Sequence, residues 1–340
     1  MNVPNRKKAA TLHDVARLAG VSYQTVSRVA NGMPHVAPAT LERVQKAIAE
    51  LNYQPNRAAR SLITGRSGSM QVIAFEVGNH YPLHAVLAAA QEYGYRASVS
   101  TLKDQHSIPE LRELLNEIVS HQVDGILLLM PWIDVTYEDL KRFTRGVPFV
   151  IVGADLGPGT ASVLIDQVGG TELAVNHLLE LGHQRVAEIS GQVNVYYDAC
   201  IRHQTLHNTL RAQGLAPVAS ISGNFSMRSG YRAAEEILES GVAFTALVCA
   251  NDDMALGATR ALLDHGKRIP EDISVVGFDN LPYANYCNPP LTTVKQDFAL
   301  LGRQGVEHLL TLIKEPQTPP YQRLLYPDLV VRQSTGPLSR

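Results

Sequence analysis

TLHDVARLAGVSYQTVSRVANG, residues 11–32, holds two helical patterns separated by a glycine. In the first, Leu12, Val15, Ala16 and Ala19 recur at helical spacing, so one side of the helix is apolar. Gly20 breaks the run and Val21 packs the turn, as the short connection of a helix-turn-helix requires. Ser22 suits the N-cap of a second helix, which leaves Tyr23, Gln24, Ser27 and Arg28 outward and Val26 and Val29 inward. A helix presenting Tyr, Gln and Thr in its first turn and Arg in the next can read base edges in a major groove. Gln24 would fork onto adenine or a neighbouring edge, Arg28 onto guanine O6 and N7, and the Thr25 methyl would suit a thymine methyl. An ordinary surface helical hairpin would satisfy the same offsets.

On the carboxyl side, Asn31-Gly32 and Pro34 mark a loop. The spacing then predicts a third helix over 39–51 with Leu41, Val44, Ala47, Ile48 and Leu51 inward. Three short helices around one core make a module of about 50 residues, a marginal size for independent stability. Residues 1–66 carry ten Lys and Arg against the three acids Asp14, Glu42 and Glu50, a surplus of seven positive charges. The whole chain has a net charge of −2, so the remainder carries nine more negative than positive charges. A basic head on an acidic body fits a module that meets phosphates and a larger one that does not. Tyr53-Gln54-Pro55 ends the module. Residues 56–63, NRAARSLI, predict one or two more helical turns, and residues 64–69, TGRSGS, a flexible linker. So short a helix with little apolar surface is expected to fold only against a partner.

From Gln71 the pattern changes to buried apolar runs alternating with amphipathic helices. Strands are predicted at 72–77, 97–100, 125–130 and 149–152, then at 186–190, 218–222, 246–250 and 273–279. Helices are predicted at about 109–120, 169–181, 198–213, 229–240 and 253–265. Two successive β-α series imply two doubly wound parallel-sheet lobes with ligands at the carboxyl ends of the strands. Segments at 164–168, 291–297 and 324–331 interrupt the alternation and are candidates to cross between lobes. A clamp so connected binds ligand in its cleft and can hinge.

At 340 residues with 45% hydrophobic and 18% charged content, the chain has room for two or three cores of a globular protein. Cys200, Cys249 and Cys287 are widely spaced and imply no disulfide framework. No apolar signal region follows Met1 and no run of 18 apolar residues occurs, so a cytoplasmic, nucleoid-associated location is expected. Nothing resembles an enzyme's constellation. Gly157-Pro158-Gly159 lacks the third glycine of a dinucleotide fingerprint, and no Walker lysine or GxSxG elbow occurs. His203 and His207 are four apart on one helix but have no intervening glutamate and no clustered cysteines, so no metal site and no cofactor are expected.

Several blocks together carry a family pattern. The head, continuing through AIAELNYQPNRAARSL, and the body blocks GHQRVAEISG, FSMRSGY, CANDDMALGATRAL, DISVVGFDN and PPLTTVKQDFALLG resemble the LacI/GalR family of bacterial repressors over about residues 10–332. The resemblance implies an all-α helix-turn-helix head plus an α/β body of the periplasmic-binding-protein-like type. Its expected divisions are a DNA-binding domain at 1–54, a hinge helix and linker at 55–69, and a sugar-binding and dimerisation domain at 70–335. Lobe 1 would comprise about 70–166 and 297–324, lobe 2 about 167–294 and 325–335. Tyr23, Gln24 and Arg28 fall on the family's base-reading positions, and Thr11, Ser22, Thr25, Ser27 and Asn31 on phosphate-contacting ones. Leu62 matches the leucine with which paired hinge helices open the central minor groove, and Asn56 and Ala59 match contacts beside it. Arg202, Asn251 and Asp279 match positions that hydrogen-bond sugar hydroxyls, Phe225 matches an aromatic platform, and Gln296 and Phe298 match cleft residues at a crossover. Asp279 and Asn251 also stand where Asx residues commonly cap turns.

The departures fall on lobe 1. Gly153 replaces an acidic sugar contact, although Asp155 lies two positions on. Leu129 replaces an asparagine, and the segment between Asn79 and Gly94 is about one turn short. The expected protein is a repressor released from double-stranded operator DNA by a galactoside or other small saccharide. The chain ends at Arg340 without a leucine-heptad tail, so a homodimer is expected, with its heads in successive major grooves. A relative using its ligand as corepressor is the opposite sign, and an exported solute-binding protein is the other user of such a body.

Overall fold

The computed structural model describes residues 10–30, 36–53, 65–75, 80–102, 107–129 and 135–338, which divide into two compact units at Gly68. The first unit contains α1 (Leu12–Ala19), α2 (Tyr23–Ala30) and α3 (Pro38–Glu50). Val15, Val26 and Val44, one from each helix, are fully buried and meet among Ala16, Ala19, Ala47 and Tyr53. Each such burial contributes roughly 1.5–3 kcal/mol, which is why three helices this short hold together. Gly20 ends α1 at φ +63°, a left-handed position that suits glycine. Leu41, expected inward, is instead 37% exposed. It lies in the first turn of α3, where Val44 and Ala47 already fill the face toward the other helices.

The second unit has two six-stranded sheets. Its elements run β1 (Ser69–Phe75), α4 (Tyr81–Glu92), β2 (Arg96–Leu102), α5 (Ile108–Ser120), β3 (Gly125–Leu129), α6 (Tyr137–Thr144), β4 (Phe149–Val152) and β5 (Ser162–Ile165). They continue with α7 (Gln167–Glu180), β6 (Val186–Ser190), α8 (Tyr197–Ala212), β7 (Ala219–Ser222), α9 (Met227–Glu239), β8 (Ala246–Cys249), α10 (Asp252–Asp264) and β9 (Ser274–Asp279). The last are β10 (Thr292–Lys295), α11 (Phe298–Lys314), β11 (Gln322–Leu325) and β12 (Asp328–Val330). The sheets have the orders β11-β5-β4-β3-β1-β2 and β12-β10-β9-β8-β6-β7. Every pairing is parallel except that of β12 with β10. Central strands β4, β8 and β9 are buried at every position, as parallel strands covered on both faces must be.

The chain passes between sheets three times: after β5, between β10 and α11, and between β11 and β12. The segments that interrupt the sequence pattern therefore cross, and they also contribute edge strands to both sheets. β1 begins at Ser69, three residues before the predicted start. Its polar opening is accommodated because it pairs with β2 from Ser69 opposite Arg96, and buried Gln71 donates to the Ser100 hydroxyl at 3.0 Å. The tail after β12 is stitched to the second sheet: Ser334 exchanges hydrogen bonds with Val275, and the Gly336 carbonyl meets the His183 ring at 3.0 Å.

Candidate nucleic-acid interface and ligand cleft

In the first unit two hydroxyls organise the helix starts. Thr11 and Asp14 form a reciprocal capping box: the Thr11 hydroxyl accepts from the Asp14 N–H at 3.3 Å, and an Asp14 oxygen accepts the Thr11 N–H at 2.9 Å. These bonds from Thr11, followed by the charge of Arg17, hold the Asp14 carboxyl below its usual range. Ser22 Oγ accepts the Thr25 N–H at 3.2 Å and lies 2.9 Å from the Thr25 hydroxyl, so it caps α2. Gln24 and Arg28 are exposed on α2, while Thr25 and Ser27 are half-buried. Tyr23 is exposed too, with its ring tilted against His13 at 4.8 Å between centroids. The helix start that carries these side chains is where unsatisfied N–H groups and the positive end of the dipole favour an anion. Asn31, Asn56, Ala59 and Leu62 lie outside the described residues.

In the second unit, three of the six expected cleft residues, Arg202, Gln296 and Asp279, join one hydrogen-bonded network at the carboxyl ends of the second sheet's strands, and Asn251 and Phe225 form a bonded pair beside it. Arg202, on α8, is buried with its guanidinium 3.8 Å above the Phe278 ring. Its Nε donates to Gln167 Oε1 at 2.8 Å, another nitrogen donates to the Ala250 carbonyl, and Asp198 lies 3.6 Å away. Gln167 Nε2 donates to Gln296 Oε1 at 3.0 Å, and Gln296 Nε2 donates to Asp279 Oδ1 at 2.5 Å. Next to Ala250, Asn251 caps α10 by accepting the Met254 N–H at 2.9 Å, and its amide donates to the Phe225 carbonyl at 3.0 Å. Asn251 thus has the turn-capping role its position suggested and also holds Phe225 beside the network. The Phe225 ring lies against Gly191, where a Cβ would strike it, and meets Tyr196 edge-on at 5.2 Å. Phe298 stands apart from these contacts. It opens α11 on the first sheet's side and stacks on Tyr81 at 6.0 Å.

Burial pushes the Asp279 carboxyl up to about 8 against the opposing pull of Arg202, and burial likewise raises Asp252 to about 7. Asp279, Asn280 and Phe225 all take left-handed φ values, +114°, +55° and +65°. Such residues cost on the order of 1–3 kcal/mol each and persist where the surroundings over-determine them. For Asp279 the support is Asp252 beneath the turn, which accepts the Leu281 N–H at 2.7 Å and the Thr293 hydroxyl at 2.5 Å. The sequence reading did not single out Gln167, which links Arg202 to Gln296, or Asp252. Gln167 follows the capping Asp166 and looks like ordinary first-turn material. On the first sheet's side, Leu129 is half-buried at the end of β3. Asp155 accepts the Gly157 N–H and the Gln322 amide, both at 2.7 Å, so it closes a turn. A buried carboxyl, amides and a stacked guanidinium gathered at strand ends beside an aromatic ring make a polar surface able to pair with several hydroxyls at once.

A helix-turn-helix unit in one chain with a two-sheet α/β body of this design defines a transcriptional regulator. Its sequence matches the periplasmic binding protein-like domain over residues 175–335 and the bacterial regulatory proteins of the lacI family over residues 11–56. It is 36% identical over 331 residues to the lactose operon repressor of Escherichia coli, covering 96% of this chain and 91% of that one. It is also 36% identical over 339 residues to the regulator CelR of Thermobifida fusca, covering 97% and 99%. A solved lac repressor dimer bound to operator and the anti-inducer ONPF superposes with a TM-score of 0.87 at 35% identity, covering 97% of this chain and 100% of that one. A CelR–cellobiose complex superposes with a TM-score of 0.70 at 34% identity, covering 96% and 99%. The chain belongs to the lacI family of bacterial regulatory proteins. It is a DNA-binding transcriptional repressor, and these relatives are regulators, not enzymes.

Proposed function

We propose that a galactoside or another small saccharide, bound between the two lobes, releases this repressor from its operator. The network from Asp279 through Gln296 and Gln167 to Arg202 carries the reading, with Asn251 and Phe225 paired beside it. Asp279 and Asn251 would pair with vicinal hydroxyls, Arg202 with another pair, and Phe225 would lie under the apolar face of the ring. Gln296 and Phe298, flanking a crossover, would report the ligand to the first lobe. In the head, Tyr23, Gln24 and Arg28 would read bases, and Thr11, Ser22, Thr25, Ser27 and Asn31 would fix the register on phosphates. Leu62 would wedge the minor groove with Asn56 and Ala59 beside it. The solved dimers of related repressors support a homodimer acting on a near-palindromic operator, in keeping with a cytoplasmic protein. Among the described residues, no helix is long and apolar enough to cross a membrane.

The saccharide acts only through its different affinity for the DNA-bound and released states, and the coupling is reciprocal. A thermal-shift screen of mono- and disaccharides identifies the effector, because a ligand that binds only the folded protein raises its melting temperature. Asp279→Ala is then tested by gel-shift titration. Removing the carboxyl leaves its buried hydrogen-bond partners unsatisfied, at about 1–3 kcal/mol, and should weaken effector binding between about fivefold and a hundredfold while operator affinity stays intact. Release of DNA by the same saccharide concentration from the variant would remove Asp279 from the site. Tighter operator binding with saccharide would reverse the sign to corepression.

A further inference from the structure

We infer that Glu188, His203 and His207 form a three-ligand site for a late first-row divalent cation, of which Zn²⁺ is the natural probe. His203 and His207 stand one helical turn apart on α8, with ring centroids 4.2 Å from each other. Their helix lacks the acidic third ligand. Strand β6 supplies it: Glu188 is 3% exposed on the sheet beneath α8. Its Oε2 lies 2.9 Å from His203 Nδ1 and 3.4 Å from His207 Nε2, and the three donor atoms all lie within 4.8 Å of one another. Tetrahedral coordination at 2.0–2.2 Å would separate adjacent donors by about 3.4 Å, so small side-chain rotations complete the geometry.

Two further observations point to an ion and not merely to a hydrogen-bonded cluster. His207 Nε2 is buried yet has no hydrogen-bond partner among the described residues, because its approach to Glu188 is not in hydrogen-bond geometry. Ser220 Oγ donates at 2.6 Å to Glu188 Oε2, the oxygen that faces both histidines, and so fixes the carboxylate, as an outer-shell partner of a metal ligand does. One divalent ion takes a lone pair from each ring and the carboxylate together. The two histidine side chains are 30% and 31% exposed, which opens a path to solvent and a fourth position for water. Imidazole and carboxylate donors favour zinc and its neighbours over calcium or magnesium. Bound there, the ion would tie α8, and Arg202 with it, to β6.

The test uses the full-length, untagged protein stripped by a chelator and titrated with ZnCl₂ in a calorimeter, with Co²⁺ absorption as an independent report of ligation. The expected result is uptake of one ion per chain, a raised melting temperature with ZnCl₂, and affinity at least about tenfold weaker in both His203→Ala and His207→Ala. Glu188 is buried and its replacement can cost folding, so the two histidine variants, checked by circular dichroism, are the deciding ones. His203→Gln and His207→Gln substitute for any alanine variant that does not fold. Absence of stoichiometric uptake, or uptake unchanged in either histidine variant, overturns the assignment and leaves a hydrogen-bonded cluster only.

Discussion

His308, on α11, is 1% exposed, stacks on Tyr321 at 3.8 Å, and neither ring nitrogen has a hydrogen-bond partner among the described residues. Burial, helped by the charge of Arg323, pushes its pKa from 6.5 down to about 4. Below pH 6.5 the unfolded chain takes up a proton that the native chain refuses until about pH 4. Stability from this group is therefore complete above pH 6.5 and is lost as the pH falls toward 4, by up to about 3 kcal/mol. Denaturant titrations between pH 7 and 4.5 should show that decline, and His308→Phe should flatten it; an unchanged slope in the variant would assign the decline to other groups. The same scale shows where sequence reading stops. Arg202, Asn251 and Asp279 were legible through family resemblance. Gln167 was not, since its partner Gln296 is distant in the sequence and only folding brings them together. Glu188 reads as one polar letter inside the buried strand VAEIS, and nothing local ties it to His203 and His207.

Among the elements, α9 and α10 approach so closely that a Cβ on Gly257 would clash with the Met227 backbone, and one on Gly230 with that of Met254. Helix propensity alone favours Ala over Gly by about 1 kcal/mol. Overpacking against backbone costs about 1–3 kcal/mol or more, and backbone cannot rotate away. Gly257→Ala should therefore lower the urea midpoint despite its better helix propensity, and a raised midpoint would mean the helices can separate at little cost. The elements legible in the sequence were those whose burial is uniform or periodic: β3, β4, β6, β8 and β9, and helices α5, α7, α8, α9 and α10; the 17-residue α11 (Phe298–Lys314), although the longest helix described, was not among those predicted. Edge strands β11 (QRLL) and β12 (DLV) are short and partly polar because one side of each lies open. In the sequence they looked like interruptions. Leu41 misled for the opposite reason, being an apolar residue at helical spacing that the fold leaves 37% exposed.

Across the whole molecule, charge is divided more sharply than the net value of −2 suggests, with a surplus of seven positives in residues 1–66 and of nine negatives beyond. Affinity for DNA must then come from local phosphate contacts. For about six to ten of them, binding should fall by roughly 10³–10⁵ between 50 and 200 mM salt. Gel-shift titration on an operator fragment checks this, and a flat dependence would argue against the head as the DNA-binding surface. The three passages between sheets bear on how the molecule is made. The first sheet's outer edge at β5, residues 162–165, is sealed only by β11, residues 322–325. The second sheet's edge at β10 is likewise sealed by β12, residues 328–330. During translation neither half can finish ahead of the other. A nascent chain stalled before residue 322 would leave β5 and β10, interior strands of the finished sheets, as exposed edges of the kind that recruits chaperones, proteases or other copies of itself.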